Sequence, residues 1–435
     1  QTPTHCGYSS EIYLWSRGQE PKLIYKVPST SMSAWAFSPI ELAEQGLSII
    51  GHQIDWNHTD FYIFQNEMLV PTGFSQNSSI MGVYQKRFVL WLEKEWDHFP
   101  KDSILIAKKE NHFTNLTSSD FEIVFRPNPN SHFQSCSVYH DGIAIYCTEN
   151  LKHKIKIWRA DKLKDTPVLE DQTISHLFSS LDRKQLFSVS QSPTQPATWF
   201  QYHEEKWNFI QTTSTQFNIE GIETKQEWAI SADGTKVPYV LIFNSKFNFP
   251  RPTLQYGYGG FLSSIFPVYQ PEVGSLWLEK GGIYVLSQIR GGAELGADWH
   301  QAAVLKNKQK SYDDFIAISE DLIRKGYTTS KMLAIQGRSN GGLLVGAVAM
   351  QRPELYQAAV IEVPLLDMIR YVELPPGSSW VGEYGDPRDP EFYSEIIKYS
   401  PYQNINPDKK YPKILIRTAR SDDRVHPAHA RKMAA

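Results

Sequence analysis

The chain has 435 residues, 41% hydrophobic and 21% charged, and is rich in aromatics with 12 Trp, 22 Tyr and 22 Phe. That length exceeds what one hydrophobic core ordinarily serves, so two domains are expected, and the composition excludes extensive disorder. A formal net charge of -3 without a basic run, and no stretch of 18 apolar residues, gives no reason to expect nucleic acid or a membrane as partner, which leaves small or peptide ligands.

Three widely spaced cysteines, Cys6, Cys136 and Cys147, form neither a disulfide framework nor a CxxC metal site and read as inert buried thiols. The chain opens on Gln1 without a charged and then apolar leader, so a signal peptide is either removed or not included. Sequons at Asn57, Asn77 and Asn115 matter only in a secretory setting. A cytoplasmic location is the expectation, with periplasmic or secreted as alternatives, and nothing speaks to oligomeric state.

From the start to about residue 213 the sequence reads as short strands between polar turns, among them 12–15, 61–64, 88–91, 142–147, 155–158 and 199–202. No long amphipathic helix interrupts them. Barrels, sandwiches and propellers all give this texture, but the stretch is long for a sandwich. At ~40–45 residues per blade it would hold four or five blades of an incomplete β-propeller. Residues 214–222 read as a linker.

Over 223–435 strand candidates alternate with helices, the pattern of an α/β domain with a mostly parallel sheet. Buried-strand runs fall at 237–243, 253–256, 283–286, 332–336, 358–363 and 414–418. Between them, Phe315, Ile318 and Leu322 share a face of a helix predicted over 312–325, with Ser311 and Gly326 as its cap signals. Ligands of such domains bind at the carboxyl ends of the strands.

At one such end stands Gly337-Arg338-Ser339-Asn340-Gly341-Gly342, after the strand 332–336 and before the small-residue helix 343–350. Strand, tight glycine turn and helix are the setting of a nucleophile elbow, which leaves the Ser339 Oγ exposed above the sheet. A serine hydroxyl is a poor nucleophile at neutral pH, so it needs a histidine base oriented by a carboxylate, in the chain order Ser, Asp, His. Asp422 fits the carboxylate, just past the strand 414–418, better than Asp423 does. Only His426 and His429 follow it, and a helix and a strand normally separate acid from base. The catalytic histidine is therefore expected outside this chain, with His429 a poorly placed substitute.

These residues resemble the prolyl oligopeptidase family of serine peptidases. The segments that carry the likeness are Tyr256-Gly257-Tyr258-Gly259-Gly260-Phe261, Ile289-Arg290-Gly291-Gly292 with Trp299-His300, the elbow, Tyr399-Ser400-Pro401 and Asp422-Asp423-Arg424-Val425, in the family's order. The likeness covers about 220–435 and implies an α/β-hydrolase domain preceded by a propeller that admits short peptides and excludes folded proteins. It implies Ser339 as nucleophile, Asp422 as orienting acid, and the Tyr258 hydroxyl with the Asn340 N–H as oxyanion hole. Phe261, Trp380, Tyr384 and Val425 would form a proline pocket, with Arg424 on a substrate carbonyl. Neither a cofactor nor a metal is implied. Family members are longer, so the chain reads as a fragment that lacks both ends and hydrolyses little or nothing by itself.

Rival readings are cleavage after basic residues, as in oligopeptidase B, with Glu383 and Asp386 as the acidic pocket; an acyl-peptide hydrolase or esterase using the same acyl-enzyme chemistry; and a non-catalytic peptide-binding module.

Overall fold

In a computed structural model, residues 3–167 and 172–435 are described. Two compact units divide the chain: the first holds most of the residues up to Phe209, and the second holds Val189–Trp199 and Ile210–Ala435.

The all-β part consists of a two-stranded pair, Glu11–Leu14 with Lys22–Lys26, and four sheets of four strands each. The sheets begin at Ser33, Ser78, Ser131 and Thr173, and in each the strands lie in sequence order, the up-and-down arrangement of a propeller blade. Five hairpins turn through two residues at positive φ, Asn66-Glu67, Gln85-Lys86, Asn150-Leu151, Ala160-Asp161 and Glu204-Glu205, the geometry of type I′ turns. None contains glycine. The first three sheets pack through apolar layers, with Phe61, Phe74, Phe88, Phe113 and Phe121 in one and Val89, Phe125, Phe133 and Trp158 in the next.

The second part is built on a seven-stranded sheet: β1 (Ile222–Ile230), β2 (Lys236–Asn244), β3 (Thr253–Gly257), β4 (Ile283–Ser287), β5 (Leu333–Arg338), β6 (Ala358–Glu362) and β7 (Lys413–Arg417). Its order is β1-β2-β4-β3-β5-β6-β7, antiparallel across the first three neighbours and parallel from there on. Every run expected as a buried strand lies in one of these, shifted by a residue or two at some ends, but β7 is mostly exposed rather than buried, being the edge strand that pairs only with β6. β1 is the strand that hydropathy missed: its IETKQEWAI sequence is mostly exposed, and pairing along the whole of β2 holds it.

Helix α1 (Gln309–Arg324) and helix α2 (Asn340–Gln351) cover one face, where Tyr239, Val285 and Ile335 meet Phe315, Ile318, Leu344 and Val348. Val240, Ile242, Tyr284 and Leu286 pack under Leu278 on the other. α1 begins before the expected Tyr312, and Ser311 is not its cap. Ser311 lies inside the first turn, fully buried, and its Oγ donates to Arg290 O at 2.8 Å and Gly259 O at 3.3 Å. Shorter helices follow as α3 (Val381–Tyr384), α4 (Pro390–Tyr399) and α5 (Ala428–Ala434). Among the described residues no helix is long and apolar enough to cross a membrane.

Candidate active site

β5 runs straight into Ser339, which takes φ 58° and ψ -118°, and α2 begins at the next residue. A non-glycine residue held there stores of order 1–3 kcal/mol, which persists only where the surroundings enforce it. The surroundings are three glycines packed against backbone: a Cβ on Gly337 would lie 2.0 Å from Gly341 O, on Gly341 2.5 Å from Gly257 O, and on Gly342 2.8 Å from Glu362 O. The Ser339 N–H donates to Glu362 O at 2.9 Å, and its carbonyl accepts from Gly342 and Leu343. As the first residue of α2, Asn340 presents an N–H with no backbone acceptor among the described residues.

The loop after β3 comes over this elbow. The Tyr258 hydroxyl lies near enough to the Ser339 side chain for the serine hydroxyl to favour the ionised phenol. Burial and the nearby Glu383 carboxylate push the Tyr258 phenol up to about 12, against the Ser339 hydroxyl and the Arg424 cation, so at neutral pH it remains a donor. The Asn340 side chain ties loop to elbow, donating to Tyr258 O at 2.5 Å and accepting from the Tyr384 hydroxyl at 2.7 Å.

Asp422 sits in a half-exposed turn after β7, where its Oδ1 accepts the Arg424 N–H at 3.0 Å and the Val425 N–H at 2.9 Å. Oδ2 makes no hydrogen bond among the described residues. Asp423 is exposed. Neither following histidine is bonded to Asp422 or Ser339: His426 Nδ1 accepts the Ala428 N–H, and His429 Nδ1 accepts the Leu366 and Asp367 N–H groups at 3.3 and 3.1 Å. His429 is 1% exposed with a buried, unpartnered Nε2, and burial brings its pKa down to about 4. Its ring serves the loop after β6, which makes it a structural histidine and a poor base.

Phe261 and Trp380 are half-buried against the sheet core, Val425 is buried there, and Arg424 is exposed. Tyr384, expected to contact substrate, has no exposed surface and meets Phe261 edge-on, ring centroids 5.7 Å apart. It stands behind Phe261. Glu383 is equally unavailable to a ligand: Oε1 accepts from Lys308 Nζ at 2.7 Å and Oε2 pairs with His300 Nε2 at 2.8 Å. These partners outweigh its burial and hold its pKa down to about 2. Asp386 is paired with Arg388.

Residues 271–435 match the family model described as prolyl oligopeptidase family. An uncharacterized peptidase of Rickettsia prowazekii is 33% identical over 98% of this chain and 62% of its own length. Residues 271–435 of the chain belong to the prolyl oligopeptidase family. A prolyl endopeptidase of Elizabethkingia meningoseptica is 40% identical over 54% of this chain and 34% of its own. Among solved structures, a post-proline cleaving enzyme from Rickettsia typhi superposes with a TM-score of 0.91 at 29% identity, over 99% of this chain and 65% of that one. The chain thus spans less than two thirds of the length of these relatives.

Residue patterns missed Lys308, which is buried beside this site. It stands in the run Lys306-Asn307-Lys308-Gln309-Lys310, which reads as solvated charge, and no local signal separates it from Lys306, whose side chain is 46% exposed.

Proposed function

We propose that the natural protein carrying this chain is a serine endopeptidase that hydrolyses short peptides on the carboxyl side of proline through an acyl-enzyme. The observation that carries the reading is the strained Ser339 at the elbow, with the Tyr258 loop tied to it through Asn340 and the Asn340 N–H beside it. In this reading Ser339 Oγ gives its proton to a base and attacks the scissile carbonyl. The oxygen that gains charge is received by the Tyr258 O–H and the Asn340 N–H. Collapse expels the amine, which takes the proton, and water then releases the acyl group by the same steps in reverse roles. Asp422 orients the base through its unused Oδ2. The base is neither His426 nor His429, so this chain by itself turns over nothing.

Proline preference is supported by the half-buried Phe261 and Trp380, whose flat faces suit a pyrrolidine ring, and in this reading the exposed Arg424 donates to a substrate carbonyl. Cleavage after basic residues would need a free buried carboxylate, and both candidates are spent: Glu383 on Lys308 and His300, Asp386 on Arg388. Relatives named prolyl endopeptidase favour the same reading. That Cys6, Cys136 and Cys147 are thiols rather than disulfides suits a cytoplasmic setting.

The test compares release of a chromophore from a blocked Gly-Pro anilide and a blocked Arg anilide by the whole natural protein, its Ser339→Ala variant and this chain alone. The expected result is turnover of the proline substrate only, by the whole protein only, lost with Ser339→Ala. Equal or faster turnover of the Arg substrate would overturn the specificity. Activity that survives Ser339→Ala would overturn the mechanism, and Ser339-dependent turnover by this chain would place the base within it.

A further inference from the structure

Lys308 is a fully buried cation 49 residues after the carbonyl it serves: its Nζ donates to Gly259 O at 2.9 Å as well as to Glu383 Oε1 at 2.7 Å. It also faces the Tyr384 ring, 5.4 Å from the centroid. Glu383 is 4% exposed and carries His300 on its other oxygen. A charge pair in such a place contributes little to stability compared with well-packed apolar residues, so stability alone does not account for it.

The loop it grips cannot hold itself. Gly259 and Gly260 follow Tyr258, and neither has room for a side chain: a Cβ on Gly259 would lie 2.6 Å from Ile289 Cδ1, and one on Gly260 would lie 2.5 Å from Asn340 Nδ2 and 3.0 Å from Glu383 Oε1. Gly259 sits at φ +64°, in a buried loop where a carbonyl left without a donor would turn its peptide to find one. Three side chains outside the loop supply the donors: Lys308 and, more weakly, Ser311 on Gly259 O, and Asn340 on Tyr258 O. Lys308 is oriented by Glu383 and Asn340 by Tyr384, adjacent residues of α3 that begins just after Trp380.

We infer that Lys308, Glu383 and His300 form a positioning device that fixes the Tyr258-Gly259-Gly260 backbone and so holds the Tyr258 hydroxyl over Ser339. The inference rests on the proposed roles of Ser339 and Tyr258. None of the three touches the reacting atoms; they act through the loop. Misplacing a reacting group or donor by about 1 Å slows a step by about 10²-fold, which sets the size of the effect.

The test measures kcat and KM for a blocked Gly-Pro anilide with the whole natural protein. Lys308→Met alone strands a buried carboxylate and risks the fold, so the decisive variant is Lys308→Met with Glu383→Gln, which removes both charges together. The expected loss is ~10- to 10²-fold in kcat with KM within about twofold. In a Tyr258→Phe background the same pair should cost less than about threefold, because the hydroxyl being positioned is gone. A loss that multiplies fully with Tyr258→Phe, or no loss in kcat, would overturn the inference while Ser339-dependent turnover stood. If no Ser339-dependent turnover exists, the functional reading fails. The device is then judged on this chain by the ring-carbon NMR signal of labelled Tyr258, identified with Tyr258→Phe. A signal shifted or split by the double substitution supports the device, and an unmoved one overturns it.

Discussion

At the scale of single residues, placement was legible where a residue type and its neighbours leave few alternatives. The position of Ser339 at the turn between β5 and α2, and of Asp422 in the turn after β7, could be read from motif and order alone. Tyr384 and Glu383 could not, because the structure commits the one to Asn340 and the other to Lys308, partners 44 and 75 residues away. Glu294 is a third case. It is 1% exposed, its Oε1 accepts the Ile265 N–H at 2.8 Å, its Oε2 has no partner, and burial raises its pKa to about 8. With the folded value above the unfolded one, the native state binds more protons between roughly pH 4.5 and 8. Its stability contribution is present below that window and is lost as pH rises through it. Glu294→Gln should therefore unfold at a higher temperature than the parent at pH 8.5, and the two should converge near pH 5. Each pKa unit is worth ~1.4 kcal/mol before relaxation. Equal melting temperatures at pH 8.5 would show that the carboxyl ionises without cost.

At the scale of elements, strands were readable where both faces are buried, as in β2 and β4, because continuous apolar runs admit few other readings. Where one face meets water and a neighbour supplies the holding force, as in β1, composition points the other way. Turn chemistry was equally silent, since the five type I′ hairpins carry Asn, Gln, Glu or Ala where Asn-Gly or Asp-Gly would have signalled them. Ser311 shows how a cap signal fails: a hydroxyl that can end a helix can also bridge two loops from inside it, and burial beside Gly259 and Arg290 decides for the bridge. The elbow is the reverse, an element dictated by contacts with no slack. Gly341→Ala would drive a methyl to 2.5 Å from Gly257 O, which no rotamer relieves. Overpacking of this kind costs ~1–3 kcal/mol, and here it also separates the elbow from the Tyr258 loop. The variant should melt earlier in calorimetry, and in the whole protein it should lose most of its Ser339-dependent turnover. A variant with parental melting and turnover would mean that the β3 backbone yields freely.

At the scale of the whole molecule, the change of texture near Glu220 told an all-β half from an α/β half, because the spacing of apolar residues differs between blades and helix–strand layers. The division into compact units does not follow that texture throughout: Val189–Trp199 belongs with Ile210–Ala435, although it reads as blade strand like its neighbours. Strand residues carry no mark of the unit they join. What each unit does carry is its own core. Phe88 is fully buried in a blade core, 5.0 Å from Phe74 and 5.3 Å from Phe113 by ring centroids, and Phe315 is fully buried under the seven-stranded sheet. Truncating either ring to alanine costs ~3–5 kcal/mol at its own site. Domains with separate cores can unfold separately, so differential scanning calorimetry should show two components, with Phe88→Ala lowering one and Phe315→Ala the other. If both variants lower one shared transition by similar amounts, the cores unfold together, and damage to a blade core would also destabilise the turn that carries Ser339.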